Sequence, residues 1–141
     1  MWIKTMDRCN VTATSSGLQT LLSFTETWLS KTGISPEKQY DILIIVEELT
    51  VNIVNYAYDE IPGKITLSLE LLDDGAILRL NLSDTGRPFN PLDYDDPKLS
   101  ESIEERPVGG LGIFIIKSLA DKLKYEYNNK QNQIIIEKRL T

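Results

Sequence analysis

The chain has no histidine and a single cysteine, Cys9. Without histidine, neither Ser-His-Asp nor Cys-His catalysis can be assembled, and most zinc sites are excluded. A lone thiol permits no internal disulfide and no multi-thiolate metal site, which fits a reducing cytoplasm, the expected location. No run of apolar residues is long enough to cross a membrane, and residues 1–8 lack the apolar core of a signal peptide, so no membrane partner is expected. Basic residues are outnumbered, 15 Lys and Arg against 21 Asp and Glu, giving a net charge of −6. That balance argues against direct contact with nucleic acid, which normally requires a basic surface. Any chemistry must therefore come from carboxylates, amides, backbone groups, lysine or arginine.

What is present reads as a soluble globular protein of 141 residues, 41% hydrophobic and 26% charged. That length suits one domain, residues 1–141, with a core of its own. Residues 2–9 read as a short first strand. A helix is predicted from Thr14 to about Lys31, with Leu18, Leu21, Leu22, Thr25, Trp28 and Leu29 facing inward and Gly33 as a left-handed cap. Ser35 and Pro36 then read as the N-cap and first position of a second helix, ending before Ile61 and Pro62. Strands follow at 64–71 and 76–83, joined through Asp74-Gly75, a hairpin signal. Their buried faces are expected from Ile65, Leu67, Leu69 and Ile77, then Leu78, Leu80 and Leu82. Residues 90–108 are acidic and proline-interrupted, with little that could join a core. Gly109-Gly110-Leu111-Gly112 leads into an apolar helix from Ile113 to about Leu123. Strands at 124–127 and 133–140 close the chain around a turn at 128–132. Helices first, then strands with one inserted helix, predict an α+β fold: a two-layer sandwich whose mixed, mostly antiparallel sheet is covered on one face by helices.

The second helix organises the rest. Ile42, Val46, Leu49, Ile53 and Ala57 recur at three- and four-residue steps and form its apolar face. A neighbouring stripe carries Asp41, Glu48, Asn52, Asn55 and Asp59. It reads either as a solvated face or as a site. Residues four apart lie about 5–6 Å from each other between β-carbons, so Glu48 and Asn52 act at one place. A carboxylate beside a carboxamide can serve as a proton acceptor beside a neutral oxygen ligand for a hard cation.

Two further pieces are weak singly. Asp84-Thr85-Gly86 reads either as a turn or as a base acceptor, with the Asp84 carboxylate taking a hydrogen bond from an exocyclic amine and Gly86 allowing close backbone approach. Gly109, Gly110 and Gly112 read either as a tight helix start or as a phosphate cradle, where unpaired N–H groups and the helix dipole favour an anion. No Gly-Lys-Ser/Thr follows, so this is not a Walker A loop. Nor is it a dinucleotide fingerprint, since position 115 is Ile and no strand precedes it.

The ordered combination is more specific than its parts. Glu48-Leu-Thr-Val-Asn52, Tyr56-Ala-Tyr58, Asp84-Thr-Gly86 with Pro88-Phe89, and Glu105 through Ile113 together resemble the ATPase superfamily of gyrase, histidine kinases and MutL-type proteins, the Bergerat-type fold. Within it the chain is most similar to the anti-sigma-factor serine/threonine-protein kinases, over nearly its whole length. The resemblance implies ATP or ADP and Mg²⁺ as ligands. It makes Asn52 the Mg²⁺ ligand, Glu48 the general base, Asp84 the adenine-binding carboxylate with Gly86 beneath the ring, and Gly110 and Gly112 the phosphate-facing glycines of an ATP lid over about residues 90–112. Arg106, in the lid, reads as a γ-phosphate contact or as a solvent-exposed arginine, and Lys117 as a surface residue. The family motif often has His where Tyr56 stands, and a ring packed near the phosphates serves in either case. The lid looks shorter than in some members.

The activity so implied is transfer of the ATP γ-phosphate to a serine of an anti-sigma-factor antagonist, with a sigma factor sequestered in the nucleotide-bound state and homodimerisation expected. The alternative is a nucleotide-gated interaction module without kinase activity.

Overall fold

The computed structural model describes residues 6–56, 62–93 and 110–141. In chain order these form β1 (Met6–Thr12), α1 (Ser15–Ser30), α2 (Pro36–Tyr56), β2 (Lys64–Leu72), β3 (Ile77–Asp84), α3 (Gly110–Leu119), β4 (Lys122–Asn128) and β5 (Gln131–Arg139). Short 3-10 turns lie at Asp73–Gly75 and Pro91–Asp93. The sheet has the order β1-β2-β3-β5-β4, and each of its neighbouring pairs is antiparallel.

Two-residue periodicity sorts the strands into an inner and an outer face. Ile65, Leu67 and Leu69 of β2, Leu78, Leu80 and Leu82 of β3, and Ile134 and Ile136 of β5 are buried on the inner face. Ile42, Ile45, Val46, Leu49 and Ile53 of α2 close the core from above, with Leu21, Trp28 and Leu29 of α1 and Ile113 and Ile116 of α3. The outer face is polar: Arg8 donates to Ser68 at 3.3 Å, and Thr66 donates to Asn10. A one-sided sheet of this kind alternates apolar and polar along each strand, as β2 and β3 largely do, whereas β5 alternates in burial but buries Asn132 and Lys138 beside Ile134 and Ile136.

Helix boundaries follow local hydrogen bonding. Thr14 caps α1 by accepting from the Gly17 N–H at 3.1 Å, and a β-carbon on Gly17 would overlap the Thr12 carbonyl. Ser35 accepts from the Lys38 N–H at 3.3 Å and so opens α2 as expected, with Pro36 as its first residue. The left-handed cap expected at Gly33 is absent. Lys31, with φ −91°, ends α1, because Lys31 and Thr32 N–H groups and the Thr32 hydroxyl already satisfy the carbonyls of Trp28 and Leu29.

Other boundaries also differ from expectation. The described first strand, Met6–Thr12, contains the 6–9 part of the expected 2–9 and continues three residues past Cys9, with its register running from Met6 opposite Glu70 to Thr12 opposite Lys64; residues 2–5 lie outside the described residues. Ile77 points away from the core side taken by Leu78, Leu80 and Leu82 and is only half-buried. Pro91, assigned to a segment with little to bury, is buried in its turn. Residues 110–112 lie inside α3 instead of before it, and α3 stops at Leu119, four residues early. There the Lys138 ammonium takes the Leu119 carbonyl at 2.7 Å and the Asp121 N–H pairs with Glu137. Leu123 is consequently a strand residue. The final turn needs only Asn129 and Lys130, both left-handed with φ 53° and 60°, as in a two-residue hairpin loop of the primed type.

Candidate nucleotide site

Two clusters carry the groups singled out by the sequence. The first lies where α2 meets the start of α3. Glu48 and Asn52 stand one turn apart on α2, as their spacing requires. Asn52 is 6% exposed, and among the described residues its side-chain nitrogen has no hydrogen-bond partner. Trp28 Nε1, Thr50 Oγ1 and Arg79 Nε share that condition, so the orphaned amide marks a site here only together with Glu48 beside it. A carboxamide presents either its nitrogen or its oxygen by a half-turn of its last bond, so the unpaired end suits a cation ligand as well as an acceptor. Glu48 is half-buried, and its carboxyl is pushed above the ordinary glutamate value by desolvation and then by the charge of Glu47. A carboxylate whose proton affinity is raised in this way is the better base near neutral pH.

Gly112 completes this cluster. A β-carbon there would overlap Glu48 Oε2 and lie 3.4 Å from Cδ. Only glycine lets the carboxylate of α2 lie directly against the first turn of α3. The sequence assigned Gly112 to phosphate contact; its observed neighbour is the acid one helix away.

The second cluster lies at the end of β3. Asp84 is 4% exposed, and its Oδ1 accepts from the Gly86 N–H at 2.8 Å and from Asn132 Nδ2 at 3.0 Å. Burial raises the Asp84 carboxyl above its usual value, while those two donors pull it back. Gly86 is buried beside it. Asn132 of β5, directly opposite Asp84 in the β3–β5 register, also donates to the Arg87 carbonyl at 2.8 Å and accepts from the Phe89 N–H at 2.9 Å and from the Tyr125 hydroxyl. Asn132 was not singled out by the sequence. Its run of Asn and Gln reads as turn chemistry, yet Asn132, Ile134, Ile136 and Lys138 share one phase, and that alternation marks Asn132 as inward.

The polar stripe of α2 is thus not a single site. Asp41 lies 3.5 Å from the Lys138 ammonium, and Asn55 is exposed. Lys117, taken for a surface residue, is half-buried and engaged. Tyr56 ends α2 and Gly110 begins α3, as backbone positions. Ala57, Tyr58, Asp59, Arg106, Gly109 and the lid from 94 to 109 lie outside the described residues. No described contact joins the Glu48 cluster to the Asp84 cluster.

Glu48 and the orphaned Asn52 amide beside the start of α3, and the buried Asp84 carboxylate at the end of β3, are two places where the fold gathers polar groups at the ends of its elements. The chain belongs to the histidine kinase-like ATPase domain family, whose profile matches residues 11–138. Among curated proteins it is similar to the serine-protein kinase RsbW of Listeria innocua, 32% identical over 104 residues, which covers 70% of this chain and 65% of that protein. It is also similar to the serine-protein kinase RsbW of Bacillus mycoides, 30% identical over 67% of this chain and 61% of that one. The match therefore spans somewhat less than two thirds of these relatives. Among solved structures, the RsbU and RsbW domains of Rv1364c from Mycobacterium tuberculosis superpose with a TM-score of 0.66 at 17% identity, over 95% of this chain and 32% of that one. The histidine kinase domain of the Erythrobacter litoralis EL346 blue-light activated histidine kinase gives 0.58, also at 17%, over 99% and 66%. These structural likenesses concern the fold.

Proposed function

We propose that the chain is an ATP-dependent serine protein kinase and anti-sigma regulatory factor. It transfers the γ-phosphoryl group to a serine of an anti-sigma-factor antagonist and sequesters a sigma factor in its nucleotide-bound state. The observation that carries this reading is the Glu48 carboxylate, raised in proton affinity, against Gly112 in the first turn of α3. A pure nucleotide binder needs no base there. Bound Mg²⁺ would neutralise phosphate charge, held by the phosphates, waters and the Asn52 oxygen. Glu48 accepts the proton of the attacking serine hydroxyl as the new O–P bond forms and the bond to the leaving ADP breaks. Asp84 accepts a hydrogen bond from the adenine amine over Gly86. Gly110 and Gly112 offer backbone N–H groups to phosphate at the positive end of α3. Arg106 and the ring of Tyr56 belong to the same proposal as phosphate-side groups.

The proposal extends to one domain over residues 1–141, a cytoplasmic location and a homodimer. Support for a dimer is the outer edge of β1, which no described strand covers.

The test is transfer of labelled γ-phosphate from Mg·ATP into an extract of the source cells, with Glu48→Ala and Asp84→Asn beside the wild type. A small protein labelled by wild type alone supports the kinase. Label persisting with Glu48→Ala removes Glu48 as base. No label, with normal stabilisation by nucleotide, favours the gated interaction module instead.

A further inference from the structure

Among the described residues, Asn132 makes more hydrogen bonds than any other side chain around the candidate site. It is 3% exposed, and it lies opposite Asp84 on the inner face of the sheet. Its amide spends both ends. Nδ2 donates to Asp84 Oδ1 at 3.0 Å and to the Arg87 carbonyl at 2.8 Å, with the Gly86 carbonyl at 3.4 Å; Oδ1 accepts from the Phe89 N–H and the Tyr125 hydroxyl. An amide with one donor group and one acceptor group, each fully engaged, cannot flip without breaking every bond.

The consequence falls on Asp84. Both of its donors, Asn132 Nδ2 and the Gly86 N–H, meet the same oxygen, Oδ1. Among the described residues none donates to Oδ2. A carboxylate held by one oxygen has its second oxygen fixed in direction, and an ionised carboxylate can only accept. It therefore favours a ligand edge that carries a donor, such as the 6-amino group of adenine, and opposes one that carries an acceptor, such as the 6-oxo group of guanine. We infer that Asn132 is the positioning residue for base selection: by clamping Asp84 Oδ1 it aims Oδ2 at the exocyclic amine of the nucleotide. This rests on the reading of Asp84 as the amine acceptor. Asn132 does not itself touch the base, because its donor group is spent on Asp84 and two carbonyls.

A role confined to holding residues 84–89 in shape would weaken every nucleotide alike. Positioning of Asp84 instead couples Asn132 to one atom group of the ligand. The experiment is calorimetric titration of Mg·ADP and of the diphosphate of purine riboside, which lacks the 6-amino group. Both are titrated into wild type, Asp84→Ala, Asn132→Leu and Asn132→Ala. A hydrogen bond to a charged group corresponds to roughly ten- to a hundredfold in affinity, so wild type should prefer ADP over the analogue by about that factor. Asp84→Ala should erase the preference. Asn132→Leu, of similar volume, should bind ADP at least tenfold more weakly and show a preference near one.

Asn132→Ala removes the donor to Asp84 without adding bulk or a charge beside it. It reports the same loss if the leucine variant does not fold. A preference that persists in a folded Asn132 variant, with both ligands weakened equally, overturns the inference and leaves the reading of Asp84 standing. A wild type without preference, or an Asp84→Ala variant that retains it, overturns both.

Discussion

Gly112→Ala separates stability from chemistry at the proposed base. The added β-carbon would overlap Glu48 Oε2 while lying 3.4 Å from Cδ, and no other atom crowds it within that distance. The clash falls on the far end of a flexible side chain, so the Glu48 carboxylate swings aside and the backbone of α3 need not move. Replacing glycine by alanine in a helix stabilises by roughly 0.5–1 kcal/mol, partly offset here because the position lies in the first turn. The variant should therefore unfold at a denaturant concentration equal to or slightly above that of wild type. Catalysis responds in the opposite direction. Displacing a reacting group by about 1 Å can cost on the order of a hundredfold in rate, and the overlap demands at least that movement of Oε2. Phosphoryl transfer should fall by about two orders of magnitude, while the double variant of Gly112→Ala with Glu48→Ala falls no further than Glu48→Ala alone. Urea unfolding and transfer of labelled γ-phosphate measure the two effects on the same preparation. Full transfer by a folded Gly112→Ala protein refutes the placement of Glu48 as base, and a loss of several kcal/mol in stability refutes the claim that only the side chain yields.

Acidification should act on Asp84 in two opposed ways. Its carboxyl sits above the ordinary aspartate value because of burial, so in the window between its unfolded and folded values the folded state holds more protons. Its contribution to the stability of the nucleotide-free protein is therefore greatest on the acid side and is lost as pH rises through that window. Nucleotide affinity should fall as pH drops through the same raised value, since the protonated acid no longer accepts freely; calorimetry at a series of pH values, with Asp84→Asn losing the dependence, checks this. At the other end of the core, Lys138 is 4% exposed, with its ammonium on the Leu119 carbonyl and 3.5 Å from Asp41. Removing one member of a buried pair costs up to about 3–5 kcal/mol, less where the partner is partly exposed, as Asp41 is. Lys138→Ala should cost roughly 1–3 kcal/mol in urea unfolding, and an unchanged midpoint would show that the pair is structurally idle.

Much of the scaffold is written locally. Ser35 and Pro36 start α2 because the hydroxyl and the missing N–H act within one turn. Glu48 and Asn52 share a face because the helix repeat demands it. Asp84 and Gly86 form their Asx-type contact because Asp bonds the N–H two residues on. Where expectation and structure part, distant partners intervene. α3 ends early because Lys138, nineteen residues beyond Leu119, takes its last carbonyl. Asp41 left the polar stripe for the same lysine. Gly33 has no left-handed role because Thr32 already serves the carbonyl of Leu29.

Residue order along the chain carried the resemblance to the family through the ordered set of motifs, and local spacing placed the helix face that holds Glu48 and Asn52 and the strand end that holds Asp84. The last two are matters of short spacing, of four and of two residues along one chain. The tertiary structure alone decided that Gly112 faces Glu48 and that Asn132 grips Asp84. Those contacts cross 64 and 48 residues of chain respectively, and no local propensity encodes them. They arise because burying the inner face of the sheet beneath α2 and α3 fixes the register of β5 against β3 and the approach of α3 to α2. Side chains of unremarkable type thereby become the neighbours of the reactive ones.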